Sequence, residues 1–297
     1  MVRILITGYR GYVGSHVATA LKNRNAEIAV ICRDVADAER ARGDGLDGRV
    51  VSLEQHDALR DLASRCDGIA HLAASEDPAF LATNRAAIMA MIDGLRAGTP
   101  FLMQGGSVVF GDTGAAPVEN PAYNPPPPLA ARAALDQDVL AMNGNARTCI
   151  TYGSLVFGGR GAMIPNLLLA TAAKVGYSAY VGDGSAIWSA VQIADWADLI
   201  ARVLLDGKQA GGAVFPAAQS LTMREVAKAV ADAFDPPLPV RSVSAADASE
   251  LWGFFAPALA MNQHFDGTSA RDAYGWTPAR LNFSREMALS AGLLAFS

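Results

Sequence analysis

Cysteine, charge and long apolar runs are all scarce in this chain, and each scarcity closes off a class of protein. Cys32, Cys66 and Cys149 are its only cysteines, too far apart for a metal or redox motif. No metal site is expected, and so few thiols fit a reducing, cytoplasmic setting. Charged residues make up 18% of the sequence, the net charge is −5 and no basic run occurs, which argues against a nucleic-acid partner. No apolar stretch reaches the roughly 18 residues of a membrane helix. The first residues run straight into a strand-like segment and lack a signal-peptide layout. What remains is a 297-residue chain that is 51% hydrophobic, ample for a large core in one domain or two smaller ones.

The most informative stretch is the first fourteen residues, MVRILITGYRGYVG. Val2 to Ile6 is a β-branched apolar run that reads as a buried parallel strand. Thr7 then opens a turn with glycines at 8, 11 and 14, followed by a helical pattern from Tyr12 to Lys22. Strand, glycine turn and helix together form the setting of a dinucleotide fingerprint. Gly8 permits the tight turn, Gly11 lets backbone N–H groups approach a pyrophosphate, and Gly14 lets helix and strand pack closely. Thr7, Tyr9, Arg10, Tyr12 and Val13 share this turn and are candidate cofactor contacts with the glycines.

Ile28 to Cys32 reads as a second strand, ending in Arg33-Asp34 at the place where such folds read the adenosine ribose. A carboxylate there binds the ribose hydroxyls, whereas an arginine pairs with a 2′-phosphate. Arg33, with Arg10 nearby, points to NADP(H); Asp34 pulls toward NAD(H). Residues 35–48 read as a surface loop or frayed helix, and Arg49 to Leu53 as a third strand. Leu53, Glu54 and Gln55 follow at the adenine edge, and Gly68 to Ala74 is a fourth strand with a small-residue end, Leu72-Ala73-Ala74, suited to close ligand approach. His71, inside that apolar strand, reads as a core residue. A fifth strand at 100–104, a proline-rich loop ending in Pro125 to Pro128, a helix at 129–142 and a sixth strand at 148–152 complete a β/α alternation. The fold class is therefore α/β, a doubly wound parallel sheet of the Rossmann type.

Beyond Gly158 the alternation loosens. Trp196, Leu199, Ile200, Val203 and Leu204 form one helical face, with Asp195 as its expected cap, and Thr222-x-x-Glu225 is a capping box. The expected division is a dinucleotide-binding domain over residues 1–158, with later segments returning to it, and a mainly substrate-binding region over 159–297. Residues 249–265, carrying Trp252, Phe254, Phe255 and Phe265, are a candidate lid or, equally, core.

With the glycine turn, Arg33, His71 to Ala74, the 180–197 segment and Tyr274 to Pro278 in view, the chain resembles the extended short-chain dehydrogenase/reductases, which include nucleotide-sugar epimerases and dehydratases. That resemblance implies a Rossmann domain and a smaller C-terminal substrate region. It also implies a catalytic Ser or Thr four residues before the Tyr of a VYG motif, and a Tyr-x-x-x-Lys pair opening the next helix. Here Val109-Phe110-Gly111 puts Gly106 at the serine position, beside Ser107. Asp136 matches an acid that follows the lysine, so Arg132 falls on the lysine and Pro128 on the tyrosine. Proline cannot transfer a proton, and Arg132 keeps its charge and is limited to binding a ribose or phosphate.

The resemblance extends to the tyrosine-lacking ketoreductases of angucyclinone antibiotic pathways. The leading reading is an NADPH-dependent ketoreductase acting on an aromatic polyketide ketone, with the proton supplied by water, by the substrate, or by Ser107 or Tyr152. Ser75, Ser107, Trp252 and Phe255 are its candidate substrate contacts. A non-catalytic NADP(H) sensor and a nucleotide-sugar epimerase- or dehydratase-like enzyme are the alternatives. A monomer or homodimer is expected, with no membrane partner.

Overall fold

A computed structural model describes residues 1–74, 78–143, 146–205 and 211–294. Strands β1 (Arg3–Thr7), β2 (Glu27–Cys32), β3 (Asp47–Val50), β4 (Gly68–His71), β5 (Pro100–Gly106) and β6 (Arg147–Gly153) alternate with helices α1 (Tyr12–Lys22), α2 (Val35–Gly43), α3 (His56–Ser64), α4 (Pro78–Gly94) and α5 (Ala130–Ala141). The second half contributes β7 (Leu155–Phe157), α6 (Met163–Val175), β8 (Ser178–Val181), β9 (Ile187–Gln192), α7 (Ile193–Leu205) and β10 (Gly212–Val214). It continues through β11 (Gln219–Thr222), α8 (Met223–Ala231), β12 (Val240–Val243), α9 (Ala245–Trp252), α10 (Ala256–Leu259), α11 (Thr268–Tyr274) and α12 (Phe283–Leu294).

The main sheet has seven parallel strands in the order β10-β6-β5-β4-β1-β2-β3. Chain order reverses between β1 and β4, so the ligand crevice of a doubly wound sheet lies above the C-terminal ends of those two strands. One face is covered by α1 and α7, whose Val13, Val17, Leu21, Trp196, Leu199, Ile200 and Val203 share a core with Ile4, Ile6 and Val30. The other is covered by α3, α4 and α5 around Leu5, Ile69, Phe101 and Ile150. A third core, built from α6, α8, α9 and the small sheets β11-β9-β7 and β12-β8, holds the C-terminal region together. Each fully buried Leu or Ile in these cores contributes roughly 1.5–3 kcal/mol.

Several local expectations change for physical reasons. Residues 35–43 form a helix rather than a loop, because Asp34 caps it by accepting from the Asp37 backbone N–H at 2.8 Å. The third strand runs over Asp47–Val50 rather than 49–53, because it pairs in parallel with Ala29 to Cys32 of β2. Asp195 does not cap its helix. It lies inside α7 and accepts from the backbone N–H groups of Ala279 and Arg280 at 3.0 and 2.7 Å, and from the Arg280 guanidinium at 2.6 Å. Tyr180 and Val181 end a strand, with the turn confined to the residues after them. The capping box at Thr222 and Glu225 is present as expected, and Ser244 with Asp247 forms a second. Among the described residues no helix is long and apolar enough to cross a membrane, and no cluster of three metal-ligating side chains occurs.

His71 belongs to a buried network that ties three elements together. Thr7 Oγ1 accepts from the backbone N–H groups of Leu72 and Ala73, both at 3.2 Å, so its own proton points to His71 Nδ1 at 2.9 Å. The ring is then the Nε2–H tautomer, donating to Asn84 Oδ1 on α4 at 2.7 Å. Burial lowers its pKa from 6.5 to about 4, with the nearby Arg132 charge adding to the effect and the Asn84 hydrogen bond opposing it. Between those values the unfolded chain takes up a proton that the folded one refuses. This group's contribution is therefore intact above pH 6.5 and is lost as the pH falls toward about 4. Denaturant unfolding across that window is expected to show His71→Asn losing part of the pH slope, up to about 1.4 kcal/mol per pH unit. Equal slopes in variant and wild type would show that the ring does not titrate this way.

Candidate active site

The crevice above β1, β2 and β3 is a cavity of about 700 Å³. Of the sequence-predicted cofactor residues, Thr7, Gly8, Tyr9, Arg10, Gly11, Arg33, Leu53, Glu54 and Ala73 line it. Ile31 and Val51 give it an apolar slot, and Ser52, Phe80 and Thr83 complete the wall. Its floor is the glycine turn. Gly8 has φ +69°, and a Cβ there would lie 2.7 Å from the Ala73 nitrogen; at Gly14 a Cβ would lie 2.1 Å from the Gly8 carbonyl oxygen. The chain thus tolerates no side chain at either place. Gly11 N-caps α1 without any side-chain hydrogen bond, which leaves the first-turn N–H groups open to an anion. Cavity, glycine cradle and open helix end fit a dinucleotide.

Other predicted contacts have different places. Tyr12 turns its ring away and donates its hydroxyl to the Gly158 carbonyl, tying the turn to the start of the C-terminal region. Burial, with Glu286 nearby, raises that phenol's pKa. Val13 and Leu72 are core side chains, and Gly14 is buried in the helix–strand contact. Ala74 is exposed at the end of the strand, and Ser75 lies outside the described residues. Asp34 is spent on capping α2 and is not a ribose ligand in this arrangement.

The charge at the ribose end comes instead from a residue that sequence reasoning missed. Asp37, only 4% exposed in its side chain, is paired with Arg10, with Arg40 at 2.8 Å and with Arg33 at 3.7 Å. Burial pushes its carboxyl up, but the hydrogen bonds and charges of Arg40 and Arg10 outweigh that and hold it below the usual carboxylate range. Arg33 is 88% exposed and makes the longest of these three pairs. The spacing Asp34-x-x-Asp37 is the cap signature that could have located α2 and its arginines.

On the far side of the switch point, above β5 and β6, the expected catalytic groups are buried. Pro128 lies in a single 3₁₀ turn, Pro127–Leu129, leading into α5. Arg132 is buried; its Nε donates to Asp136 Oδ1 at 2.9 Å and its Nη2 to the Gln104 carbonyl. Its charge is therefore paired inside the protein and not offered to a ribose or phosphate. Ser107 is buried at the start of the 3₁₀ turn Ser107–Phe110. Tyr152 is 1% exposed and packs over Gly105, where a Cβ would lie 2.4 Å from its ring. Its hydroxyl is 2.6 Å from that of Tyr123, and burial beside Asp136 raises its pKa strongly. The expectation that Tyr152 meets a substrate directly is corrected by this burial. Tyr123, half-buried and nearer the surface, is the phenol that sequence spacing could not find.

The lid residues are also redistributed. Trp252 is 6% exposed and packs in the C-terminal core with Leu168, Ala179 and Val243, so it is removed from any substrate contact. Phe265 stacks on Phe215 at 4.7 Å. The chain before it is stitched in by Gln263 N–H to the Ile187 carbonyl and by Val118 N–H to the His264 carbonyl, at 2.8 and 3.0 Å. Phe255 is half-buried on the same core, and Phe254 alone stands out, 59% exposed. A lid over 249–265 would have to break this packing.

Comparison with known proteins follows the same outline. Residues 4–215 match the family described as the NAD dependent epimerase/dehydratase family. The protein C2A9.02 of Schizosaccharomyces pombe is 26% identical over 298 residues, spanning 98% of this chain and 99% of its own length. UDP-glucuronic acid decarboxylase 4 of Arabidopsis thaliana is 24% identical over 305 residues, which cover 94% of this chain and 65% of the plant protein. Among solved structures, UDP-glucose-4-epimerase from Stenotrophomonas maltophila, with bound NAD and formylated UDP-arabinopyranose, superposes with a TM-score of 0.77 at 16% identity, covering 100% of this chain and 99% of that one. With its Rossmann sheet, its glycine cradle and a family match over most of its length, the chain belongs to the NAD-dependent epimerase/dehydratase family.

Proposed function

We propose that this protein is an NADP(H)-dependent oxidoreductase that acts on a carbonyl or carbinol of a small molecule, in a site that has lost the tyrosine acid of related enzymes. The observation that carries the reading is the pairing of an intact dinucleotide cradle with a ribose end lined by arginines. When bound, the reduced dinucleotide supplies a hydride to a carbonyl carbon. The chain's own residues bind and orient: the α1 N-terminus takes the pyrophosphate, and Ile31, Val51 and Leu53 enclose the adenine. Arg33 and Arg10, which line the same cavity, would pair with a 2′-phosphate.

A second reading has its own support. The relatives named above that have printed activities work on nucleotide sugars, which favours a nucleotide-sugar substrate over an aromatic polyketide ketone. The aromatic-ketone reading loses the part of its sequence support that rested on an aromatic lid, because Trp252 and Phe265 are core residues. An epimerase or dehydratase cycle, however, needs a base for the oxidative step, and Pro128 supplies none.

Two measurements test these readings. Titration calorimetry is expected to show tighter binding of NADPH than NADH, and Arg33→Asp is expected to weaken NADPH by about tenfold or more, a loss of roughly 1.4 kcal/mol. Equal affinity of the wild type for both dinucleotides would remove the NADP(H) assignment. Incubation with NADPH deuterated at C4 and a panel of UDP-sugars, 4-keto sugars and aromatic ketones is expected to put deuterium into one product alcohol. Tight NADPH binding without transfer to any of them would favour the sensor, and epimerisation without net transfer the nucleotide-sugar enzyme.

A further inference from the structure

Above β5 and β6 the protein holds a phenol pair outside the Tyr-x-x-x-Lys spacing, at which Pro128 and Arg132 stand. Tyr123 and Tyr152 place their hydroxyls 2.6 Å apart. Tyr152 is fixed from below, stacked on Phe215 with ring centres 5.6 Å apart and covering Gly105 of the neighbouring strand. Tyr123 comes from the loop before α5 and leans on Phe110, with ring centres 4.9 Å apart. That loop is itself held: the Asn124 N–H donates to the Val109 carbonyl at 3.1 Å, and Gly111, at φ +64°, leaves room for Asn124 where a Cβ would lie 2.5 Å from its carbonyl oxygen. The prolines from 125 to 128 stiffen the remaining path to α5. Of the two hydroxyl-bearing rings, only Tyr123 retains solvent exposure.

The position is as telling as the contact. The cavity with Arg33 lies over β1, β2 and β3, on one side of the switch point. Tyr123 and Tyr152 lie at the C-terminal ends of β5 and β6, on the other side, where the second half of an extended dinucleotide reaches. Arg132 anchors the same spot through the Gln104 carbonyl and through Asp136, whose carboxylate also faces Tyr152.

We infer that Tyr123 is the proton donor of this site, its hydroxyl aimed by Tyr152 and backed by the Arg132–Asp136 pair, in place of the tyrosine that Pro128 displaces. This rests on the oxidoreductase reading above. In the step assigned to it, the Tyr123 Oη–H bond breaks and a new O–H bond forms on the substrate oxygen, which has become an alkoxide by reduction of its carbonyl at the expense of the reduced dinucleotide. The phenolate left behind accepts a hydrogen bond from Tyr152 and regains a proton from solvent. The charged and titratable groups facing Tyr123 are Asp136 and Arg132 from α5 and Tyr152 from β6. Burial pushes its pKa up to about 12, Asp136 adds to this, and the Tyr152 hydrogen bond and Arg132 oppose it. Such a phenol stays protonated near neutral pH. It can neutralise an alkoxide, which is more basic still, but it makes a poor base for oxidising an alcohol, so the device favours reduction.

The test reads the phenol directly as well as its effect on rate. Ultraviolet phenolate absorbance is titrated for the wild type, Tyr123→Phe and Tyr152→Phe, each alone and with NADP⁺, whose nicotinamide ring is cationic. One phenol is expected to titrate at lower pH with NADP⁺ than without it. That component should be absent from Tyr123→Phe and should move to higher pH in Tyr152→Phe. With whichever carbonyl of the deuteride panel the wild type reduces, Tyr123→Phe is expected to lower kcat by about 10²–10⁴-fold while leaving the NADPH dissociation constant unchanged. Undiminished kcat in Tyr123→Phe, or a titration that NADP⁺ leaves unmoved, would overturn the assignment. If the wild type reduces nothing on the panel, the oxidoreductase reading fails on its own, and the titration still decides whether Tyr123 faces the nicotinamide.

Discussion

The closeness of one helix to one strand governs this molecule. Gly14 of α1 sits where any Cβ would overlap the Gly8 carbonyl oxygen, so the first turn of the helix presses directly on the turn that follows β1. That contact fixes where α1 begins and aims its uncapped N–H groups at the crevice. Gly8, bare of a side chain, makes room for the segment after β4, which Thr7 holds through the Leu72 and Ala73 N–H groups. His71 and Asn84 lock the same hydroxyl from behind, so a polar chain two side chains deep supports the floor of the ligand site. Both ring nitrogens of His71 have partners, which is the condition for such a network to rigidify a core rather than weaken it.

Charge in the interior follows the same economy at two places. Asp37 gathers arginines at the ribose end, and Asp136 gathers Arg132 beneath β5. The two sites differ in exposure. Around Asp37 the arginines reach solvent, so they are held in position yet available to a ligand. Around Asp136 both partners are buried, and removing either would leave an uncompensated charge at a cost of roughly 3–5 kcal/mol. An arginine suits this second place better than a lysine, because its planar group donates to the carboxylate and to the Gln104 carbonyl at once. What is a catalytic cation in the family pattern is here part of the support for the phenols above it.

Much of this was legible in the sequence wherever the signal is local. The glycine turn, the β/α alternation, the amphipathic α7 and the Thr222 capping box each depend on residues within a few positions of one another. Longer-range or depth-dependent features were not legible. Asp34 reads as a ribose ligand, and only the fold of the polar segment after it turns that carboxylate into a helix cap. Tyr152 lies in an apolar strand where alternation cannot say which hydroxyl reaches a surface. Its partner Tyr123 is 29 residues earlier, in a loop without periodicity. Trp252 and Phe265 read equally as lid or core, because an aromatic residue has the same pattern in either role. Arg132 was located by spacing alone, and its function changed because spacing carries no information about burial.

The edge strand β10 carries a consequence for how the chain is put together. Residues Gly212–Val214 close the main sheet beside β6, and α7 covers that sheet's inner face, with Trp196 Nε1 donating to Thr151 Oγ1 at 2.8 Å. The dinucleotide half is therefore incomplete until more than two hundred residues have left the ribosome. A nascent chain that stops near residue 158 would expose the apolar face of β4 and β5 that α7 covers, together with the unpaired edge of β6, a surface prone to misassembly. Topologically the second half of the chain is less an appendage than the clasp of the first, and synthesis and cooperative folding are bound to proceed across both.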